Sequence, residues 1–344
     1  LTGQAQAAAA DDYFTSFITS PVAPVVFALL FMGVTSFIVY NGVEGGIERV
    51  SKYMMPILLV LVVIIAGYSL TLKHTDEAGQ LRTGIEGFLY YLTPHFEGLT
   101  VGRFFQILLD AMSQLFFSLS VSMGIMITYG SYVKPEVNLN RAVNQIEIFD
   151  TGVALLAGAM IIPAVYVFSG TKGMSAGPSL MFVSLPKVFA GMGKAGNVVG
   201  ILFFVTTIFA TLTSCISVLE SITANCMEIF HTGRKKTVLV LTVIYLTASA
   251  VIALGYSIFY FEVKLPNGQL LDIMDYISNS FMMPLISLLS TILIGWIVTP
   301  DYVIDEMERN GEHFRRKKMY TVMIRFVAPV MMLILFLQST GILF

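Results

Sequence analysis

The sequence is poor in charged residues and in the side chains that enzymes use. Charged residues make up 12% of the 344 residues, about half the share that is usual in a soluble globular protein. There are four histidines, far apart in the sequence, two cysteines and one tryptophan. No HExxH or Walker sequence occurs. These absences argue against an enzyme, and two cysteines, Cys215 and Cys226, imply no disulfide framework.

Strong charge of either sign is also lacking. The net charge is −2, and no run of like charge stands out, so no nucleic acid partner is predicted. The chain begins at Leu1 rather than at Met, and its first residues lack the basic segment of a signal peptide. We therefore expect an amino-terminal part of a longer protein to precede Leu1.

Long apolar runs are what the sequence does have. Seven of them carry no Asp, Glu, Lys or Arg, and an eighth carries only Asp110. Because about 20 apolar residues cross a bilayer core as a helix, the sequence predicts an all-α integral membrane protein with eight spanning segments. The predicted segments are 13–43, 53–72, 104–133, 151–171, 195–219, 237–261, 276–300 and 326–344.

The loops between these segments predict an orientation. Lys and Arg are more than twice as dense in loops 44–52, 134–145, 229–236 and 301–318 as in loops 73–103, 172–194 and 262–275. The positive-inside rule places the first set in the cytoplasm. The apolar stretch Pro178–Met192 is too short to cross, so we expect a helix that lies on the outer face or dips into it.

The segment after Asp110 carries serines on alternate positions, Ser118, Ser120 and Ser122, followed by Gly124. One interpretation is an unbroken helix whose serines donate to carbonyls four residues earlier. The other is a broken helix, which is tolerated at membrane depth only where its backbone lines a protein cavity and can hold ions. Spacing alone leaves both interpretations open.

Ionisable residues at membrane depth are candidate functional groups because they are costly there. For each, the alternative is a residue near a helix end that reaches water or pairs with a neighbour; this alternative is strongest for Glu147 and Asp272. The candidates are Asp110, Glu147 or Asp150 at the start of the fourth segment, Glu220, and Asp272 or Asp275.

A second polar cluster, Ala210-Thr211-Leu212-Thr213-Ser214-Cys215, lies in the fifth segment. Small and hydroxyl-bearing residues in a spanning helix indicate close helix packing. A hard cation such as sodium would use the same hydroxyl oxygens together with backbone carbonyls. Both interpretations remain open from the chemistry alone.

Several motifs resemble the neurotransmitter:sodium symporter family, in its bacterial branch of amino acid transporters, over nearly the whole chain. The inverted repeats and broken helices of this family are general features of secondary transporters and are not deduced from this chain. The motifs that carry the resemblance are Gly45-Gly46-Ile47-Glu48-Arg49-Val50 with Pro56, Gln114-Leu115-Phe116-Phe117-Ser118-Leu119-Ser120, Thr128-Tyr129-Gly130-Ser131-Tyr132, Phe182-Val183-Ser184-Leu185-Pro186, Thr213-Ser214 with Ile216, and Asp272-Ile273-Met274-Asp275.

The resemblance implies an inverted-repeat sodium symporter fold of which this chain holds helices four to eleven. Residues 1–103 would end the first repeat, 104–300 would form the second repeat with its broken helix near 117–124, and 301–344 would form the inner loop and final helix. The missing helices would be needed in cis or in trans, so we expect this chain not to transport alone. The alternatives are a non-transporting membrane scaffold or inactive fragment, and a carrier for another small amine or osmolyte.

The implied partners are an amino acid substrate, sodium ions (Na+) and the lipid of a bacterial cytoplasmic membrane. Ser118 and Asp150 match ligands of the family's first sodium site, and Ala210 through its carbonyl, Thr213 and Ser214 match the second. Asp275 matches the acidic residue of an outer gate, and Glu228 that of an inner gate. The residues that match the substrate pocket are Phe117, Ser120, Met123, Ser214 and Val218.

Two departures from the family pattern carry further expectations. The first sodium site usually has Asn where this chain has Asp150, and chloride-dependent members have a Ser ligand where this chain has Ala154. Because Ala154 cannot bind chloride, the resemblance predicts chloride independence. Asp150 would supply the fixed negative charge instead, and we predict that it takes up a proton on the return step, giving proton counter-transport. The pocket wall predicts an apolar or aromatic substrate.

Overall fold

The computed structural model describes residues 5–10, 12–75, 79–94, 96, 98–171, 180–261, 263–264 and 267–342. These residues form helices joined by short loops and two antiparallel hairpins. The helices are α1 (Ala5–Ala8), α2 (Tyr13–Ile18), α3 (Ala23–Tyr40), α4 (Val43–Thr71), α5 (Gly84–Leu92), α6 (Val101–Ser118), α7 (Ile125–Tyr132), α8 (Leu139–Ser169), α9 (Leu180–Gly191), α10 (Lys194–Phe230), α11 (Arg234–Leu254), α12 (Leu270–Val298), α13 (Pro300–Glu308) and α14 (Lys317–Ser339). The strands are β1 (Lys73–Thr75), β2 (Leu81–Thr83), β3 (Val263–Lys264) and β4 (Asn267–Gly268).

Seven helices among the described residues are long and apolar enough to cross a membrane: α3, α4, α8, α10, α11, α12 and α14. The eighth predicted segment, 104–133, consists of two helices instead, because α6 ends at Ser118 and α7 begins at Ile125. The broken-helix interpretation is therefore confirmed. The eighth segment is therefore not one continuous helix. By itself α7, with eight residues, is too short to cross, and α6 is as long as α3 but less apolar.

Several helices extend beyond the apolar runs that predicted them. The predicted inner loop 44–52 is helical, since α4 opens with a π-helical turn at Val43–Glu48. The chain turns just before it, at Gly42, whose φ of +89° suits glycine. Similarly, α8 begins at Leu139, so Glu147 and Asp150 lie inside this helix and not at its start. Apolar composition predicts the part of a helix in hydrocarbon, but backbone hydrogen bonding can continue the helix into the polar zone.

The hairpins are the only departure from an all-α chain in the described residues, and both are short. Strand β1 pairs with β2, and β3 pairs with β4. The first hairpin leads into α5, whose start is fixed by a capping box: the Thr83 hydroxyl accepts from the Glu86 amide, and the Glu86 carboxylate accepts from the Thr83 amide. These elements lie between the spanning helices in sequence.

The first of two compact units comprises Leu1–Glu97, Thr151–Leu219 and Thr232–Phe259. One apolar core is shared by α4, α8, α9 and α10, and a second by α3, α4, α10 and α11. The short helix predicted at 178–192 is present as α9 from Leu180, while residues 178 and 179 lie outside the described residues. Leu185 and Val188 of α9 are buried in the first core.

The second unit comprises Gly98–Asp150, Glu220–His231 and Tyr260–Phe344. Within it α12 packs along α14. The two helices exchange hydrogen bonds where each has a π-helical turn: the Trp296 indole donates to the Arg325 carbonyl at 3.0 Å, and the Arg325 guanidinium donates to the Gly295 carbonyl at 3.1 Å. The predicted repeat boundaries at 103 and 300 concern internal symmetry and stay a prediction.

Candidate ion and substrate site

The break between α6 and α7 has an unusual backbone. Ser120 and Ser122 have φ of +51° and +67°, and Gly124 has φ of +74°. Left-handed backbone costs an L-residue roughly 1–2 kcal/mol and costs glycine little. A break with two such serines therefore persists only where the surroundings hold it.

Two hydrogen bonds to other helices connect to this break. At the end of α6, the Ser118 hydroxyl donates to the Asp150 carboxylate of α8. Inside the break, the Ser122 hydroxyl lies 2.5 Å from the hydroxyl of Ser287 on α12. All four residues belong to the second unit. The structure thus brings together the two residues that match ligands of the first sodium site, and their role as ligands stays a prediction.

The residues that match the second sodium site lie in one turn of α10, in the first unit. The Thr213 hydroxyl donates to the Ala210 carbonyl at 2.9 Å, and the Ser214 hydroxyl donates to the same oxygen at 3.1 Å. On the other side of this helix, Leu212 and Ile216 are buried in the apolar core. Ala210 and Ser214 are exposed, so three oxygens converge on the face opposite that core.

The residues predicted to wall the substrate pocket are divided between the units. Phe117 is exposed near the end of α6, and Ser120 and Met123 are half-buried in the break. Ser214 and Val218 lie on α10 in the first unit, and both are exposed. The assignment of these five residues to one pocket stays a prediction.

The motif Phe182-Val183-Ser184-Leu185-Pro186 is part of α9. Phe182 stacks on Phe14, with ring centroids 5.2 Å apart, and lies 6.4 Å from the Phe204 ring. These contacts are all within the first unit. Aromatic stacking, together with the buried residues of α9, fixes this segment as a helix.

The predicted gate residues are both exposed. Asp275 accepts a hydrogen bond from the Asn279 amide at 2.6 Å. Glu228 lies near the carboxyl end of α10. No contact among the described residues tests either gate role, and both stay predictions.

Two other ionisable candidates have structural partners. Asp272 caps α12, because its carboxylate accepts from the Gln269 amide at 2.8 Å. Glu147 forms an ion pair with Arg316, with N and O 3.4 Å apart. These contacts favour the structural interpretation for both residues. Asp110 is exposed on α6.

Glu220 is a candidate from the sequence whose hydrogen-bond partners the sequence did not predict. Its side chain is fully buried, and the Tyr132 hydroxyl donates to it at 2.7 Å. One residue further on, Ser221 accepts from Thr128 at 3.2 Å. Thr128 and Tyr132 begin and end the motif Thr128-Tyr129-Gly130-Ser131-Tyr132. Local sequence thus marked these two residues, but it could not predict that they contact α10.

Membrane-spanning helices, one broken helix, and a hydroxyl and a carboxylate at its end together define a class of protein. In ion-coupled secondary transporters, such broken helices expose backbone and side-chain oxygens to the transported ion. The fold is therefore that of a multi-pass membrane transporter of this class.

Comparison with sequence families makes the identification specific. The sodium:neurotransmitter symporter family matches residues 19–342, and the chain belongs to that family. The predicted resemblance and fold class are thereby confirmed. The family is one of transporters and not of enzymes, in agreement with the prediction from motifs.

Individual relatives agree with this assignment. The uncharacterized sodium-dependent transporter YhdH of Bacillus subtilis is 34% identical over 96% of this chain and 70% of its own. An uncharacterized sodium-dependent transporter of Haemophilus influenzae is 30% identical over 93% of this chain and 66% of its own. The crystal structure of MhsT in complex with L-phenylalanine matches 98% of this chain and 74% of its own, with 34% identity and a TM-score of 0.79. The chain thus spans between 66% and 74% of the length of these relatives.

Proposed function

We propose that the protein is part of a symporter that couples the inward movement of sodium to uptake of an amino acid. The observation that carries this proposal is the contact between Ser118, the last residue of α6, and the Asp150 carboxylate. A hydroxyl and a carboxylate at the end of a broken helix are suitable ligands for a hard cation. Sodium would be a transported ion. Bound between Asp150 and the substrate carboxylate, it would neutralise part of their negative charge.

Uptake into vesicles tests the proposal. Membrane vesicles that contain the protein, produced from its native gene, should accumulate radiolabelled amino acids under an inward sodium gradient. Replacing sodium by choline should abolish accumulation, because the ion gradient supplies the driving force. Equal uptake in choline would contradict sodium coupling, and no uptake with any amino acid would favour the scaffold or inactive-fragment alternative.

The substrate that we propose is an amino acid with an apolar or aromatic side chain. Phe117, Met123 and Val218 would supply apolar contacts, while the small side chain of Ser120 leaves room. L-phenylalanine in the MhsT structure supports this choice.

Competition for uptake of labelled leucine should therefore rank side chains by polarity. Unlabelled Leu, Tyr and Trp are expected to inhibit strongly, and Lys and Glu weakly, because burying an unpaired charge is costly. Stronger inhibition by Lys or Glu would refute the claim. Betaine and other osmolytes are tested in the same assay. If one of them inhibits leucine uptake more strongly than any amino acid, the alternative function, a carrier for a small amine or osmolyte, is favoured.

We further infer that transport needs no chloride and returns a proton. Ala154 has no hydroxyl to bind an anion, and it follows Asp150 by four residues on α8, so both lie on the same face of that helix. While sodium is bound, the fixed Asp150 carboxylate would supply the negative charge that a bound chloride supplies in chloride-dependent transporters. When sodium leaves, protonation would remove a charge that is costly at membrane depth. The protein would act in the cytoplasmic membrane of a bacterium.

A further inference from the structure

We propose that Ser122 and Ser287 act as a positioning pair that holds the break between α6 and α7 in the conformation that binds substrate. The inference rests on the proposed function, since it assigns a role in substrate binding. Neither residue matches a sodium ligand, a gate or a pocket residue. Both lie in the second compact unit.

One direction of the hydrogen bond in this pair satisfies both contacts of Ser287. The Ser287 hydroxyl donates to the Met283 carbonyl, one turn earlier on α12, at 2.9 Å. A serine hydroxyl has one proton to donate and can accept through its oxygen. With the Ser287 proton committed to Met283, Ser122 donates across the 2.5 Å between the two hydroxyl oxygens.

This contact differs from the hydroxyl contacts of Ser278 on the same helix. Ser278 donates only to carbonyls of its own helix, at Met274 and Asp275, and is exposed. Ser287 is 3% exposed and reaches a residue far away in sequence. Removing its hydroxyl would leave Ser122 without this acceptor. Because Ser122 is half-buried, water replaces a lost hydrogen-bond partner there only incompletely, and the loss is destabilising.

The backbone of Ser122 explains why a positioning contact is needed. Its φ of +67° is a conformation that serine rarely adopts. Gly124, two residues later, has φ of +74°, which glycine adopts at no cost. A hydrogen bond to a buried hydroxyl on another helix favours the left-handed conformation at Ser122 over a continued helix.

The location of the pair connects it to substrate binding. Ser122 lies between Ser120 and Met123, both predicted to wall the pocket, so its backbone sets where their side chains point. Ser287 lies on α12, the helix that also carries Asp275. A binding segment that is already ordered binds its ligand more tightly, because less conformational entropy is lost on binding. The pair would thus raise the affinity for substrate without contacting it.

Substrate affinity is the quantity to measure. Ser287→Ala is expected to raise the amino acid concentration for half-maximal sodium-driven uptake at least about fivefold, with a smaller effect on the maximal rate per transporter in the membrane. The matched control, Ser278→Ala, makes the same chemical change on the same helix and should leave that concentration unchanged. In a double-mutant cycle with Ser122→Ala, the second substitution should add little, because either one breaks the same bond.

A second measurement does not depend on transport. In a background with Cys215 and Cys226 replaced by alanine, Val121→Cys places a thiol in the break, where the side chain is 37% exposed. Its labelling by a water-soluble maleimide should be faster with Ser287→Ala than with Ser278→Ala. Ser122→Gly, which removes the hydroxyl at a position where glycine is not strained, should also accelerate labelling.

The outcomes separate the two proposals. If the unmodified protein shows no sodium-driven uptake, the proposed function fails, and the labelling rates still decide whether the pair holds the break. If uptake occurs but Ser287→Ala behaves like Ser278→Ala in both measurements, the positioning pair is refuted. A lower maximal rate with unchanged half-saturation and unchanged labelling would also refute it, since it would indicate only less folded protein.

Discussion

Uptake by the double variant Asp150→Asn with Ala154→Ser is expected to become chloride-dependent and to lose its response to internal pH. Serine at position 154 would provide a hydroxyl for chloride, and asparagine at position 150 would remove the fixed negative charge. Asparagine keeps an oxygen that can accept from Ser118, as Asp150 does. The local hydrogen bond would therefore survive while the charge and the titratable proton are lost.

The physical reason is the charge of the loaded site. Two sodium ions and a zwitterionic substrate would leave net positive charge in a site of low dielectric constant, where uncompensated charge is costly. A bound chloride or a fixed carboxylate can compensate for it. Only the carboxylate stays behind when the cargo leaves, so only it needs a proton on the return step.

Uptake would be measured in vesicles at several internal pH values, with chloride or gluconate as the anion. The single variant Ala154→Ser is the matched control, because it adds the hydroxyl but retains Asp150 and should stay chloride-independent. The proposal fails if the unmodified protein already needs chloride, or if the double variant leaves both dependences unchanged.

The sodium concentration for half-maximal binding is expected to rise at least tenfold, about 1.4 kcal/mol, when Thr213 and Ser214 are both replaced by alanine. The two hydroxyls converge on the Ala210 carbonyl oxygen. A bound sodium ion would lose two of its oxygen ligands in this variant. If the hydroxyls serve helix packing instead, alanine should be tolerated with little change in sodium dependence.

Thr211→Ala is the control for this experiment. Its hydroxyl donates to the Thr207 carbonyl of the same helix at 2.9 Å. The variant therefore removes a similar hydrogen bond from side chain to backbone and leaves the predicted sodium ligands unchanged. Sodium dependence can be measured by substrate binding to purified protein over a range of sodium concentrations. Unchanged sodium dependence of a normally folded Thr213 and Ser214 variant would favour packing.

Local sequence was sufficient for the seven long apolar helices of the described residues and for the family, and it left the break as one of two interpretations. An apolar run of sufficient length has few alternatives to a helix in a bilayer, because every backbone polar group must be satisfied there. Alternate serines followed by Gly124 marked the break, but they were equally compatible with a helix whose serines back-bond. Helix ends were predicted poorly, as α8 illustrates, because composition changes at the edge of the hydrocarbon while the helix continues.

Only the tertiary structure decided which distant residues meet. Ser118 contacts Asp150, Ser122 contacts Ser287, and Tyr132 contacts Glu220, yet no local pattern pairs them. Such contacts depend on how separate helices pack, and many packings are compatible with the same apolar faces. The sequence by itself therefore determined the apolar helices and the segment in which an interruption was one of two interpretations. Hydrogen bonds from α8, α10 and α12 determined which side chains meet the interrupted helix, because strained backbone persists only where the surrounding structure holds it.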